Sequence, residues 1–138
     1  MRAVIDTNEA VSGLLWRGPS RRVLDAARAD RVELFTTLEL LAELEEALYR
    51  EKFLKRLQLA QLPPVDLITG YAALATVVRA AAIPSVIILR DPDDDALIAS
   101  AISARADVIV SGDRDLLDLR QYKQIEIITA VDFLNRLS

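Results

Sequence analysis

The sequence predicts an α/β sandwich built around a mainly parallel β-sheet. Three observations carry this. Short apolar segments alternate with helical ones along the whole chain. Several of those segments, such as Val86-Ile87-Ile88-Leu89 and Val108-Ile109-Val110, are continuously apolar, as strands are when helices cover both faces of a sheet. Finally, 138 residues amount to one domain, 1–138, with no internal repeat and no linker to divide it.

Ala3-Val4-Ile5 reads as a buried strand that stops at a polar loop, Asp6-Thr7-Asn8. Gly18-Pro19-Ser20 starts a helix that runs to Ala29, with Val23, Leu24 and Ala27 on one face. Val32 to Phe35 is a second strand. Thr37 to Tyr49 is a helix in which Leu40, Leu41, Leu44, Ala47 and Leu48 recur at the spacing of a buried face. A further helix spans Lys52 to Leu59, and Pro63-Pro64 breaks it. Val65 to Ala82 is helical again, so the two prolines form the joint of an α-hairpin inserted on one side. Val86 to Leu89 is the third strand, followed by a helix from Pro92 to Arg105. Asp107 to Ser111 is the fourth strand and ends at Gly112-Asp113. A short helix covers Asp115 to Leu119, Glu126 to Ile128 is the fifth strand, and Ala130 to Leu137 is a closing helix.

Composition narrows the chemistry. At 52% hydrophobic and 28% charged, the chain is neither disordered nor of low complexity. With 0 Cys there is no disulfide framework, thiolate metal site or Cys nucleophile. With 0 His there is no Ser-His-Asp triad, His base or ordinary zinc site. What remains is carboxylates, hydroxyls, amides, Lys, Arg and a hard metal ion. The net charge of −4, from 17 basic and 21 acidic residues, argues against gripping nucleic acid by bulk charge. It is compatible with acids gathered around cations. The chain opens straight into a strand with no targeting segment, and no apolar run approaches the ~18 residues of a membrane span. A cytoplasmic protein with no membrane association is expected.

In an open parallel sheet, ligands bind beyond the carboxyl ends of the strands. Acids fall there repeatedly. Asp6 ends the first strand; taken alone, such an Asp ordinarily satisfies turn amides. Asp91-Pro92-Asp93-Asp94-Asp95 follows the third strand. Asp91 suits an N-cap, Pro92 the first helical position, and acids in the first turn complement the helix dipole. Asp95 is explained least by this, because it continues the apolar line of Ile98, Ala99, Ile102 and Ala106 and so looks into the cleft, whereas Asp93 lies on the solvent side. On the helix after the second strand, Glu39 and Glu46 lie opposite the Leu stripe and read as solvated. Glu43 and Glu45 flank the stripe, and periodicity does not choose between them. Ser111-Gly112-Asp113-Arg114-Asp115 follows the fourth strand with turn-forming residues, yet delivers a hydroxyl and carboxylates to the edge that holds Asp6. Carboxylates converging without His or Cys require cations, and such oxygen-rich sites suit Mg²⁺ or Mn²⁺.

Val4-Ile5-Asp6-Thr7-Asn8, Leu40-Leu41-Ala42-Glu43-Leu44, Asp94-Asp95-Ala96-Leu97-Ile98-Ala99 and Val110-Ser111-Gly112-Asp113-Arg114-Asp115 together resemble the four motifs of the PIN domain. The resemblance is closest to VapC-like toxin components of toxin–antitoxin pairs, and it covers essentially the whole chain. It implies a doubly wound α/β/α fold with a mainly parallel sheet of four to five strands. It implies a Mg²⁺- or Mn²⁺-dependent ribonuclease, partnered by a small antitoxin protein and assembled as a homodimer. Carried over residue by residue, the four catalytic and metal-binding acids fall on Asp6, Glu43, Asp95 and Asp113, with Asp115 as an additional or substitute metal ligand. Thr7, Asn8 and Ser111 match supporting polar positions. One departure stands out: Glu9 follows the Asp-Thr-Asn where relatives carry an apolar residue. It is a rim residue, an extra carboxylate near the metals, or the mark of an altered site.

The chemistry so implied is hydrolysis of RNA phosphodiester bonds, with metal activation of water replacing the missing His. With four acids assigned to metal, the remaining acids equal the 17 bases, so the charge balance does not oppose RNA. Arg17 and Arg114 are the candidate RNA-binding residues. Lys52, Lys55 and Arg56 read as ordinary surface charge. Trp16 offers a ring for base stacking or for packing. The rival reading is a catalytically weak or inactive scaffold that keeps the fold and binds a partner protein or RNA. A phosphoacceptor receiver is disfavoured, because it needs a Lys after its last strand and Lys123 precedes Glu126-Ile127-Ile128.

Overall fold

Each central strand divides its side chains between two cores. Ala3, Ile5, Val108 and Val110 face one, and Val4 and Ile109 face the other, all buried. A strand covered on both faces has no solvent side, and this is why these segments are continuously apolar. The structure, a computed structural model, describes residues 1–80 and 92–137. The elements are β1 (Arg2–Ile5), α1 (Thr7–Leu15), α2 (Pro19–Arg28), β2 (Glu33–Thr36), α3 (Leu38–Leu48), α4 (Glu51–Leu59), α5 (Pro64–Leu74), β3 (Thr76–Val77), α6 (Pro92–Ser103), β4 (Val108–Val110), α7 (Arg114–Leu119), β5 (Gln121–Tyr122), β6 (Ile125–Ile128) and α8 (Ala130–Leu137).

The sheet order is β3-β2-β1-β4-β6-β5, and every pairing is parallel except β5 with β6. Residues of α1, α2, α3, α4, α5 and α8 pack on the face that carries Ile5 and Val110. Residues of α6 and α7, with Leu40 of α3, pack on the face that carries Val4 and Ile109. The result is an α/β/α sandwich with a mostly parallel sheet. The chain runs outward from β1 through β2 to β3, then resumes on the other side of β1 with β4. The order of strands therefore reverses between β1 and β4, where a parallel sheet opens a crevice at its carboxyl edge.

Three local expectations change. Asp6-Thr7-Asn8 is not a loop: Asp6 is the N-cap of α1, an element absent from the sequence reading. Gly13 in the last turn of α1 weakens the helical signal. It is needed there, because a Cβ would lie 2.9 Å from both the Ser20 carbonyl oxygen and Leu24 Cδ1. The helix expected to reach Ala82 ends at Leu74, and Thr76–Val77 instead pairs with Phe35 and Thr36 at the free edge of β2. Branched Thr76 and Val77 suit a pleated edge better than a helix. Among the described residues the sheet has six strands rather than four to five, because β3 and β5 are additional strands of two residues each. The strand expected over Val86 to Leu89 lies outside the described residues. Pro63 and Pro64 do divide two helices: Pro63 caps α5 and Pro64 is its first residue.

Candidate active site

The crevice between β1 and β4 is shaped by the residues that end those strands. The Asp6 N–H donates to the Val110 carbonyl at 2.9 Å, extending the ladder by one bond as the chain turns into α1. The fully buried Ser111 follows Val110. Its hydroxyl donates to Asp6 Oδ2 at 2.8 Å and accepts from the Asp113 N–H at 3.0 Å. One hydroxyl thus fixes the Asp6 carboxylate and the turn that carries Asp113. Asp113 is the N-cap of α7, and its Oδ1 accepts from the Asp115 N–H at 2.9 Å.

Glu43 reaches the crevice from α3, which packs on α1. The Thr7 hydroxyl donates to Glu43 Oε2 at 3.0 Å. Glu43 is half-buried, while Glu45 is exposed. Asp6, Thr7, Asn8, Glu43, Glu46, Arg50, Asp94 and Asp113 line one cavity of about 230 Å³. Asp95, Asp115, Ser111, Arg17 and Arg114 are not among its lining residues. Asp95 is half-buried next to Asp94, and its Oδ1 is buried with no hydrogen-bond partner among the described residues. Arg17 is exposed beyond the end of α1, and Arg114 and Asp115 are exposed on the first turn of α7.

The electrostatics centre on Asp6. Burial raises its pKa above the ordinary carboxylate value, and the charges of Asp113 and Glu9 push the same way. The Ser111 hydroxyl and the Thr7 N–H oppose them. Glu9 is half-buried rather than free at the rim. It accepts a hydrogen bond from the Ser20 hydroxyl, and its Oε1 would lie 2.5 Å from a Cβ on Gly112. A side chain at position 112 would push that carboxylate aside. Trp16 packs edge-on to Phe53 at 5.7 Å between ring centres, and Arg56 lies 5.2 Å over its ring.

Three lining residues escaped the sequence reading: Asp94, Glu46 and Arg50. Glu46 follows Glu43 by three residues on α3, which places the two on one side of that helix, and Arg50 is the N-cap residue of α4 just beyond the end of α3. That spacing was the available signal.

An oxygen-only donor set suits a hard cation. Among the described residues, no three of these acids converge closely enough to enclose one. Mg²⁺ does not demand that, since it usually keeps several waters and takes one or two carboxylates plus substrate phosphates. The orphaned Asp95 Oδ1 is a second sign of fit, because a buried carboxylate oxygen without a donor is stabilised by a cation.

The PIN-domain family matches residues 2–115, and the chain belongs to that family. PIN domains are generally nucleases. A solved structure with the same fold is described as the crystal structure of VapBC2 from Rickettsia felis bound to a DNA fragment from their promoter. It aligns with a TM-score of 0.61 and 12% identity over 92% of this chain and 97% of that one. No curated protein matches the sequence. Among the described residues, no helix is long and apolar enough to cross a membrane.

Proposed function

We propose that this chain is a Mg²⁺- or Mn²⁺-dependent endoribonuclease that hydrolyses RNA phosphodiester bonds and serves as the toxin of a toxin–antitoxin pair. The observation that carries the reading is the cavity itself. In a chain of the PIN family without His or Cys, Asp6, Glu43, Asp94 and Asp113 line one cavity beside the carboxyl ends of β1 and β4.

Asp6, Glu43, Asp95 and Asp113 are the groups that would hold the cation, with Asp115 next to Asp113 as a further ligand. A divalent cation held there supplies charge neutralisation at the phosphate and lowers the pKa of an attacking water. The rest is orientation by the chain. Ser111 holds Asp6 in place by donating to Oδ2, and Thr7 holds Glu43 by donating to Oε2. Asn8 presents an amide to the same cavity. Burial of Asp6 keeps water from screening its charge.

The VapBC2 neighbour supports the toxin role, since that structure comes from a two-component complex. A small antitoxin and a homodimer belong to the same reading. The test combines the parent chain, single-stranded RNA, Mn²⁺ or Mg²⁺, and EDTA. Cleavage that stops with EDTA supports the reading. A thermal shift on adding Mn²⁺ reports cation binding without any reference to cleavage. A parent that neither cleaves nor shifts leaves the scaffold alternative, with Glu9→Val as the first change to try.

A further inference from the structure

The cavity wall carries one group of opposite sign. Among the described residues lining it, Arg50 alone is cationic. The Arg50 backbone is structural, since its carbonyl accepts from the Phe53 and Leu54 N–H groups at 3.0 and 2.9 Å as α4 begins. The side chain has no such role. Among the described residues, the exposed guanidinium finds no hydrogen-bond or ion-pair partner, although Glu46 lies four residues earlier on the same wall. Two arginines that line a separate apolar groove are committed. Arg21 donates to the Gly13 and Leu14 carbonyls, and Arg56 donates to the Leu15 carbonyl while covering Trp16.

An RNA strand entering this cavity meets carboxylates on nearly every side. A cation in the site offsets charge at the scissile phosphate, but the flanking phosphates still need donors. A guanidinium offers up to five N–H donors in a fork that matches phosphate oxygens, and an unpaired one breaks no existing contact to engage them. We propose that Arg50 binds an RNA backbone phosphate flanking the scissile bond. This rests on the ribonuclease reading above. The competing role, in which Arg50 only offsets the acids of the cavity, would affect folding without metal and leave substrate affinity alone.

The experiment compares Arg50→Gln, Arg50→Lys and the parent on a labelled single-stranded RNA with Mn²⁺ at several salt concentrations. Arg28→Gln, a surface change on α2, is the control. For Arg50→Gln, KM should rise about tenfold with kcat within about twofold, and the slope of log KM against log salt should fall by about 0.7 to 1. Arg50→Lys should recover part of the loss, and the control should match the parent. An unchanged KM and salt slope overturn the proposal, most clearly if Arg50→Gln also lowers the melting temperature in EDTA. If the parent does not cleave, the ribonuclease reading fails separately, and anisotropy of the same RNA with Mn²⁺ decides the role of Arg50. Binding weakened about tenfold in Arg50→Gln supports it, while equal binding or no binding by the parent overturns it.

Discussion

The Asp6 carboxylate carries a conflict that its neighbours only partly resolve. Burial and the charges of Asp113 and Glu9 favour its neutral form, and the Ser111 hydroxyl favours the charged one. The net effect is a folded-state pKa above the unfolded value. For a raised pKa, the stabilising contribution is full below the unfolded pKa and is lost as pH rises through the folded one. Once ionised, Asp6 therefore weakens the metal-free fold. Asp6→Asn keeps an acceptor for Ser111 and removes the charge. In EDTA at pH 8 it should melt about 2–5 °C above the parent, with the gap closing as pH falls into the acid range. A scanning-fluorimetry series over pH checks both the sign and the trend. Asp94 and Asp95 differ in the same terms. Asp94 lines the cavity, whereas Asp95 holds a buried oxygen without a donor. Asp95→Asn should reduce Mn²⁺-dependent cleavage by at least about 100-fold, while Asp94→Asn should cost about tenfold or less. Steady-state rates on one RNA substrate compare the two directly.

At the level of elements, close approach explains what propensity does not. α1 and α2 meet where Gly13 faces the Ser20 carbonyl and Leu24. Gly13→Ala improves helix propensity, but its Cβ strikes a backbone atom that cannot swing away. The expected result is a loss of about 1–2 kcal/mol, read as a lower urea midpoint at unchanged slope. The β5–β6 hairpin runs the other way. Its turn places Lys123 at φ 53°, a left-handed conformation that a side chain resists. Lys123→Gly should stabilise the protein by about 0.5–1 kcal/mol, measured in the same urea titration. The same residue explains why the hairpin is not legible in the sequence, since Tyr122-Lys123-Gln124-Ile125 lacks the Asn-Gly or Asp-Gly signal of a tight turn.

For the whole molecule, topology does what no single motif can. Residues 6, 43, 94 and 113 line one cavity because β1 lies between β2 and β4 and all three run in one direction. Away from that crevice, the end of α4 and the start of α5 leave apolar side chains in water. Leu59 is 88% and Val65 57% exposed, and Leu14, Leu15, Leu57, Leu59 and Leu62 border an open groove of about 610 Å³. Apolar surface of this kind favours association. Sedimentation at tens of micromolar is expected to show a homodimer, and Leu59→Asp should shift it toward monomer without changing the melting temperature by more than about 2 °C. A monomer at every concentration would remove the homodimer from the proposed assembly.

The sequence by itself determined the α/β class, the strands at Ala3–Ile5 and Val108–Val110, and most helix positions, because burial on both sheet faces leaves an unbroken apolar run and a helix leaves its period. It also pointed to Glu43, through the motif it shares with the PIN family, where periodicity left Glu45 open. Only the tertiary structure decided the rest. α1 was hidden by the glycine that lets α2 approach, and β3 and β5 are two-residue strands that exist only because a neighbouring edge is there to pair with. Glu46 reads as a solvated charge along the chain, Asp94 as one acid of a helix-start cluster, and Arg50 carries no signal of its own. They become a cavity wall because α3, the start of α4 and α6 bring them to one cavity with Asp6 and Asp113. Local pattern records how each segment is buried, but which charges face one another depends on strand order, and strand order is set by packing between segments far apart in the chain.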